Sequence, residues 1–166
     1  MLSPLPSGLR RSPSTPDGER PVECVLVVSM GGPFADAVVD RAIELARPTG
    51  ARVSVLHMLR IWGTGLGLPH PSLRPNPQEV RAGAEAVAAA EARVRAAGLP
   101  ISGAKQLTTR KPAKIIAHEA RWIGADVIVL PRPQGRASRL GWDGEALRLP
   151  RKAHCPVVLV DVPAAG

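Results

Sequence analysis

Aromatic residues are nearly missing from this 166-residue chain, which has three Trp, one Phe and no Tyr. A core without them has to be assembled from Ala, Val, Leu and Ile. The exposed rings on which single-stranded nucleic acids are usually stacked are also lacking. Lysine is scarce, confined to Lys105, Lys111, Lys114 and Lys152, so the formal charge of +8 is carried mostly by arginine. Cys24 and Cys155 are the only cysteines. Two are too few for a disulfide framework, and no Cys-x-x-Cys or Cys/His spacing suits a metal. Both sit beside apolar runs, so two buried, reduced thiols and a cytoplasmic location are expected. No apolar run approaches the ~20 residues of a membrane span. Arg10 and Arg11 behind a short Leu/Pro run make a poor signal peptide.

What is present suits one globular domain. The chain is 45% hydrophobic with a mean hydropathy of +0.02, enough for a core at this length. Eighteen Pro and sixteen Gly follow no collagen-like period. An isoelectric point near 10.9 brings nucleic acid or an anionic surface to mind. Abundant Ala, Arg, Gly and Pro together also arise from compositional bias of a whole genome, so the distribution of charge carries more information than its sum.

Residues 1–20 are rich in Ser, Pro, Gly and Arg without periodicity and read as a disordered leader, with the domain spanning 21–163. Short β-branched runs predict buried strands at Glu23–Ser29, Val53–Met58, Asp126–Leu130 and Pro156–Val162, with a weaker one at Ile101–Leu107. Between them lie helical patterns: one after Gly31-Gly32-Pro33, one over Gln78–Ala97 with Val80, Val87 and Val94 every seventh residue, one from Pro112 toward Gly124, and one over Glu145–Ala153. Ile61–Pro77 is a long Gly/Pro-rich loop, and Pro131–Gly144 is a Gly/Arg-rich one. Alternating strands and helices predict a parallel sheet covered on both faces. Ligands of such sheets bind beyond the carboxyl ends of the strands, which points to the loops after Ser29, Met58 and Leu130. The four histidines, His57, His70, His118 and His154, form no ligand pair or catalytic triad by spacing.

Several segments, in order, resemble the universal stress protein family across roughly residues 22–162. These are Val25-Leu26-Val27-Val28 before a Gly-containing turn, Val55-Leu56-His57-Met58, Pro112 through Ile116, Gly124-Ala125-Asp126-Val127-Ile128-Val129-Leu130, and Cys155-Pro156-Val157-Val158-Leu159-Val160. The resemblance implies a Rossmann-like α/β fold of the adenine-nucleotide α-hydrolase type, with a five-stranded parallel sheet of order 3-2-1-4-5. It also implies a homodimer formed through the last strand (Val157, Val158, Val160), and strands carrying Cys24 and Cys155 that are not neighbours.

ATP-binding members of that family carry an acid after the first strand and a Gly-x-x-Gly-x9-Gly-Ser/Thr loop after the fourth. Glycines there let backbone N–H groups approach phosphates, and the hydroxyl adds a donor. Here Ser29 stands at the acid, Pro131 at the first Gly, and Gly135 at the second after a one-residue slip (Gln134 otherwise). Gly144 matches the third Gly, but Glu145 replaces the hydroxyl residue. Ser29, Met58, Arg132, Gly135, Gly141, Gly144 and Glu145 thus outline a degenerate site. Pro131 has no N–H, and a carboxylate at Glu145 repels a triphosphate. Arg132, Arg136 and Arg139 crowd the same loop and would hold another anion, such as a nucleotide monophosphate or sulfate, or form a solvated basic loop.

The expectation is a non-enzymatic stress-response domain with an eroded nucleotide site, working through dimerisation or a protein partner and without a resident cofactor. Two alternatives stand beside it: a sensor that still binds ATP or AMP, and a basic adaptor for nucleic acid or an anionic surface, with nucleic acid disfavoured.

Overall fold

The structure, a computed structural model, describes residues 20–61, 75–135 and 141–163. The leader, most of the Ile61–Pro77 loop, and Arg136 and Arg139 lie outside the described residues. Strands β1 (Cys24–Met30), β2 (Arg52–Arg60), β3 (Ile101–Thr109), β4 (Val127–Pro131) and β5 (Val157–Val160) form one sheet. They alternate with helices α1 (Asp36–Ala46), α2 (Pro77–Ala96) and α3 (Pro112–Ile123). The strand order is β3-β2-β1-β4-β5 and every pairing is parallel, as the resemblance implied.

Alternation along the strands sorts their side chains into two cores. Val25, Val27, Val53, Val55 and Val129 pack under α1 and α2, where Val38, Val39, Ala42, Ala90 and Val94 meet them. Leu26, Val28, Leu56, Ile128 and Leu130 face α3, with Ile116 and Ala120. The first of these cores contains no buried aromatic residue. Small aliphatic side chains let the helices lie close on the sheet, which is how a chain with so few rings still fills its interior.

Helix α2 begins where Asn76 caps it, its side chain accepting from the Gln78 N–H at 2.9 Å, with Pro77 in the first turn. Its buried positions are Gly83, Ala90 and Val94, with Val87 packed beside them; of the valine heptad only Val80, in the first turn, is exposed. Helix α3 closes on Gly124, whose φ of 66° lies in the left-handed region. Helix α1 starts at Asp36, several residues past the glycine pair, since Gly31 (φ 80°) first turns the chain. The last helical segment divides into a 3-10 stretch, Asp143–Arg148, and a single turn of α-helix, α4 (Leu149–Lys152), where Pro150 falls in the first turn. No described helix is long and apolar enough to cross a membrane.

Candidate functional site

The carboxyl ends of β1, β2 and β4 converge on two adjoining clefts that share Met30 and Asp143. One, of about 250 Å³, is bounded by Gly31, Leu59, Arg60, Glu79 and Trp142. The other, of about 190 Å³, lies beside Pro131, Arg132, Pro133 and Gln134. Each is smaller than the roughly 300 Å³ at which small-molecule pockets begin.

Trp142 walls the first of them. Its ring lies across the β1 turn, with its nearest atom 3.4 Å from where a Cβ on Gly31 would stand, and only 8% of the residue is exposed. The indole N–H donates to the Thr109 carbonyl at 3.1 Å, tying the segment after β4 to the end of β3. At Gly31 the positive φ of 80° favours glycine.

The backbone that follows is already bonded to itself. The Gly144 N–H donates to the Gly141 carbonyl at 3.1 Å, and the Glu145 N–H to the Trp142 carbonyl at 3.2 Å. The Glu145 carboxylate pairs with Arg148 at 2.9 Å. Burial raises the Asp143 carboxyl above its ordinary range, while the Arg60 guanidinium pulls it down.

The residues anticipated from sequence are distributed unevenly around this place. Ser29 is buried and turned inward, its hydroxyl donating to the Gly32 carbonyl; Met30, one residue on, lines the clefts instead. Met58 is fully buried in the core under α3. Arg132 borders the smaller cleft but pairs with Asp161 at 2.8 Å, and its N–H continues the ladder to the Val160 carbonyl. Gly135 is exposed with φ 76°, Gly141 is exposed and Gly144 buried. Trp142, Asp143 and Arg60 were not singled out by motif. The available signal was Trp142 itself, a rare ring set between Gly141 and Gly144.

Ser29, His57 and Gln106 stand in register across β1, β2 and β3. This polar row lies behind the clefts on the α1/α2 face, where Gly83 of α2 leaves room: a Cβ there would lie 2.5 Å from Gln106 Oε1 and 3.2 Å from His57 Cε1. The Gln106 amide donates to the Val80 carbonyl at 3.2 Å, whereas His57 Nδ1 and Gln106 Oε1 are buried without a partner. Burial lowers the His57 pKa from 6.5. The unfolded chain therefore takes up the proton more readily than the folded one. Stability is complete above about pH 6.5 and is lost as pH falls below that value toward the depressed folded pKa. Urea unfolding between pH 7.5 and 5 should give this slope, and His57→Gln should flatten it. An unchanged slope in the variant would assign the pH dependence elsewhere.

Both thiols are pushed up chiefly by burial, Cys155 to about 11, and neither is in a disulfide. They are poor nucleophiles at neutral pH. Among the described residues no cluster of His, Cys, Asp and Glu could hold a metal.

The fold is shared with known structures. A universal stress protein from Burkholderia pseudomallei is 25% identical, covers 87% of this chain and 98% of its own, and superposes with a TM-score of 0.62. A universal stress protein in complex with cAMP is 19% identical, with coverage of 85% and 98% and a TM-score of 0.61. One from Archaeoglobus fulgidus in complex with dAMP is 22% identical, with coverage of 84% and 98% and a TM-score of 0.60. No curated protein matches the chain. The sequence profile of the universal stress protein family matches residues 23–161, which include all five strands of the 3-2-1-4-5 sheet, and the chain belongs to that family.

Proposed function

We propose that this universal stress protein domain is not an enzyme and acts through association, with a nucleotide crevice closed by its own chain. The observation that carries the reading is the occupation of that crevice: Trp142 lies across the β1 turn, and the N–H groups of Gly144 and Glu145 are spent on Gly141 and Trp142. Pro131, lacking an N–H, and Asp143, which lines both clefts, add to it, because a polyphosphate would meet a carboxyl group where it needs donors. Calorimetric titration with ATP is expected to give no binding in the micromolar range. Low-micromolar ATP affinity that Gly144→Val removes would overturn the reading.

A second reading keeps a smaller ligand, and it is favoured by relatives of the same fold in complex with cAMP and dAMP. AMP and cAMP carry less charge than ATP and need fewer phosphate donors. Titration with AMP and cAMP separates the two readings: saturable binding of either supports the sensor, and no heat supports the closed crevice. The adaptor reading is weakened by charge pairing. Arg41, Arg93, Arg95, Lys105, Arg132 and Arg148 all face carboxylates.

Association is expected through β5, a half-buried edge strand paired only with β4. The carbonyls of Pro156 and Val160 point to β4, so by strand periodicity the Leu159 peptide points outward. Val158 and Val160 pack toward the α1 core, and a charge at either would injure the interior as well as the edge. Leu159 packs on the α3 core in turn, so Leu159→Pro is read together with Leu159→Ala: both trim that contact, and only proline removes the outward N–H, with no bond to β4 lost. Sedimentation should find a dimer in the parent and the alanine variant and a monomer in the proline variant; a dimeric proline variant would rule this edge out.

A further inference from the structure

At the opposite end of the sheet from the crevice, β3 departs from regular pairing. Val53 pairs with Ile101 but Ser54 with Gly103, so Ser102 is an extra residue in the ladder. Bulges of this kind commonly re-aim side chains beside functional sites. Here the bulge sets Ser102 Oγ 2.7 Å from Ser54 Oγ and leaves Gly103 without a side chain in the sheet surface. The last turn of α3 forms the facing wall, and the space between is a pocket of about 340 Å³. It is larger than either cleft at the carboxyl ends and lies within the range of small-molecule sites.

Its lining has a definite chemistry. The floor is apolar, with Leu26 and Leu56. Lys105 and Glu119 cancel one another at 2.7 Å. Arg52 donates one N–H to the Ile123 carbonyl at 3.1 Å and touches the Cys24 thiol. Among the described residues it forms no ion pair, the nearby Asp126 carboxylate being taken up by the Glu23 and Cys24 N–H groups, so the pocket is lined by a guanidinium with donors to spare. Trp122 forms the rim and is 77% exposed. In a chain with three Trp, an indole left to solvent beside a cationic pocket is suited to stacking on a planar guest.

We propose that this pocket binds a small aromatic carboxylate, its ring lying between Trp122 and the apolar floor and its carboxylate on Arg52. The pocket shares no lining residue with the crevice, and the proposal holds whether or not a nucleotide binds there.

The test uses the full chain and 1-naphthoate, followed by two-dimensional NMR at the indole N–H signals, with Trp122→Phe to assign that of Trp122. A saturable shift at Trp122 is expected, with a Kd on the order of 0.1–1 mM for a ligand of this size. Arg52→Gln should weaken it about 10-fold or more, the loss typical of a charged hydrogen bond, and neutral 1-naphthamide should bind the parent equally poorly. Gly103→Leu should abolish binding by filling the floor. Trp122→Ala, which removes an exposed side chain and leaves the fold intact, should also weaken binding, read from the shifts of neighbouring backbone amides. No saturable shift, equal affinity for acid and amide, or undiminished binding in both Arg52→Gln and Trp122→Ala would each overturn the proposal.

Discussion

Trp142→Ala is expected to destabilise the fold by about 3–5 kcal/mol, the usual cost of truncating a buried Trp. The residue is 8% exposed and belongs to the cluster that joins α3 and α4 to the sheet, with Ile116, Leu149 and Leu130. Removing its ring opens a cavity against Gly31 and leaves the Thr109 carbonyl without its indole donor. Trp142→Phe keeps most of the packing and loses the N–H, so about 1–2 kcal/mol is expected. Urea unfolding followed by far-ultraviolet circular dichroism measures both, since the substitution itself alters tryptophan fluorescence. A loss below about 1 kcal/mol for the alanine variant would mean that the ring does not plug the crevice.

Asp126→Ala should cost about 2–4 kcal/mol, from two hydrogen bonds to a charged acceptor. One carboxylate oxygen, Oδ2, accepts from the Glu23 N–H at 2.8 Å and the Cys24 N–H at 2.9 Å, while the Asp126 N–H donates to the Cys24 carbonyl at 2.9 Å. Regular β1–β4 pairing begins only at Val25 and Val127. The side chain therefore extends the ladder past its end and holds the first residues of the central strand. Asp126→Asn preserves an acceptor of the same shape and should cost about 1 kcal/mol. Hydrogen exchange locates the effect: the Glu23 and Cys24 amides should lose protection first in both variants. Protection unchanged there would place the role of Asp126 elsewhere.

Asp126 also marks how far the sequence can be read. The Gly124-Ala125-Asp126 run is recognisable as a motif, but the N–H groups that donate to its carboxylate lie about a hundred residues away, at the start of β1. His57 is similar. Its place in an apolar strand identifies it as interior, yet its setting beside Gly83 and Gln106 arises only when α2 lies across β2 and β3. The chemistry of Pro131 and Glu145, one without an N–H and the other a carboxylate, is legible in the sequence without any structure. That Trp142 fills the crevice, and that Met30 rather than Ser29 faces it, follows from the hand of the β1 turn and a hydrogen bond to the far strand. The pocket at the other end was invisible, because a bulge leaves no signature beyond a Ser-Gly pair in an edge strand.

By itself the sequence determined the aliphatic core, the alternation of strands and helices, and with it a parallel sheet, because these depend on side-chain type and local periodicity. It also determined the scarcity of rings and the excess of arginine. Only the tertiary structure decided what those scarce and abundant residues do. Arg41, Arg93, Arg95, Arg132 and Arg148 pair with carboxylates across helix faces and strand ends, and of the two described tryptophans one is buried while the other stands at a pocket mouth. The physical reason is that burial and charge pairing are properties of the surroundings, and those surroundings are brought together by segments far apart along the chain.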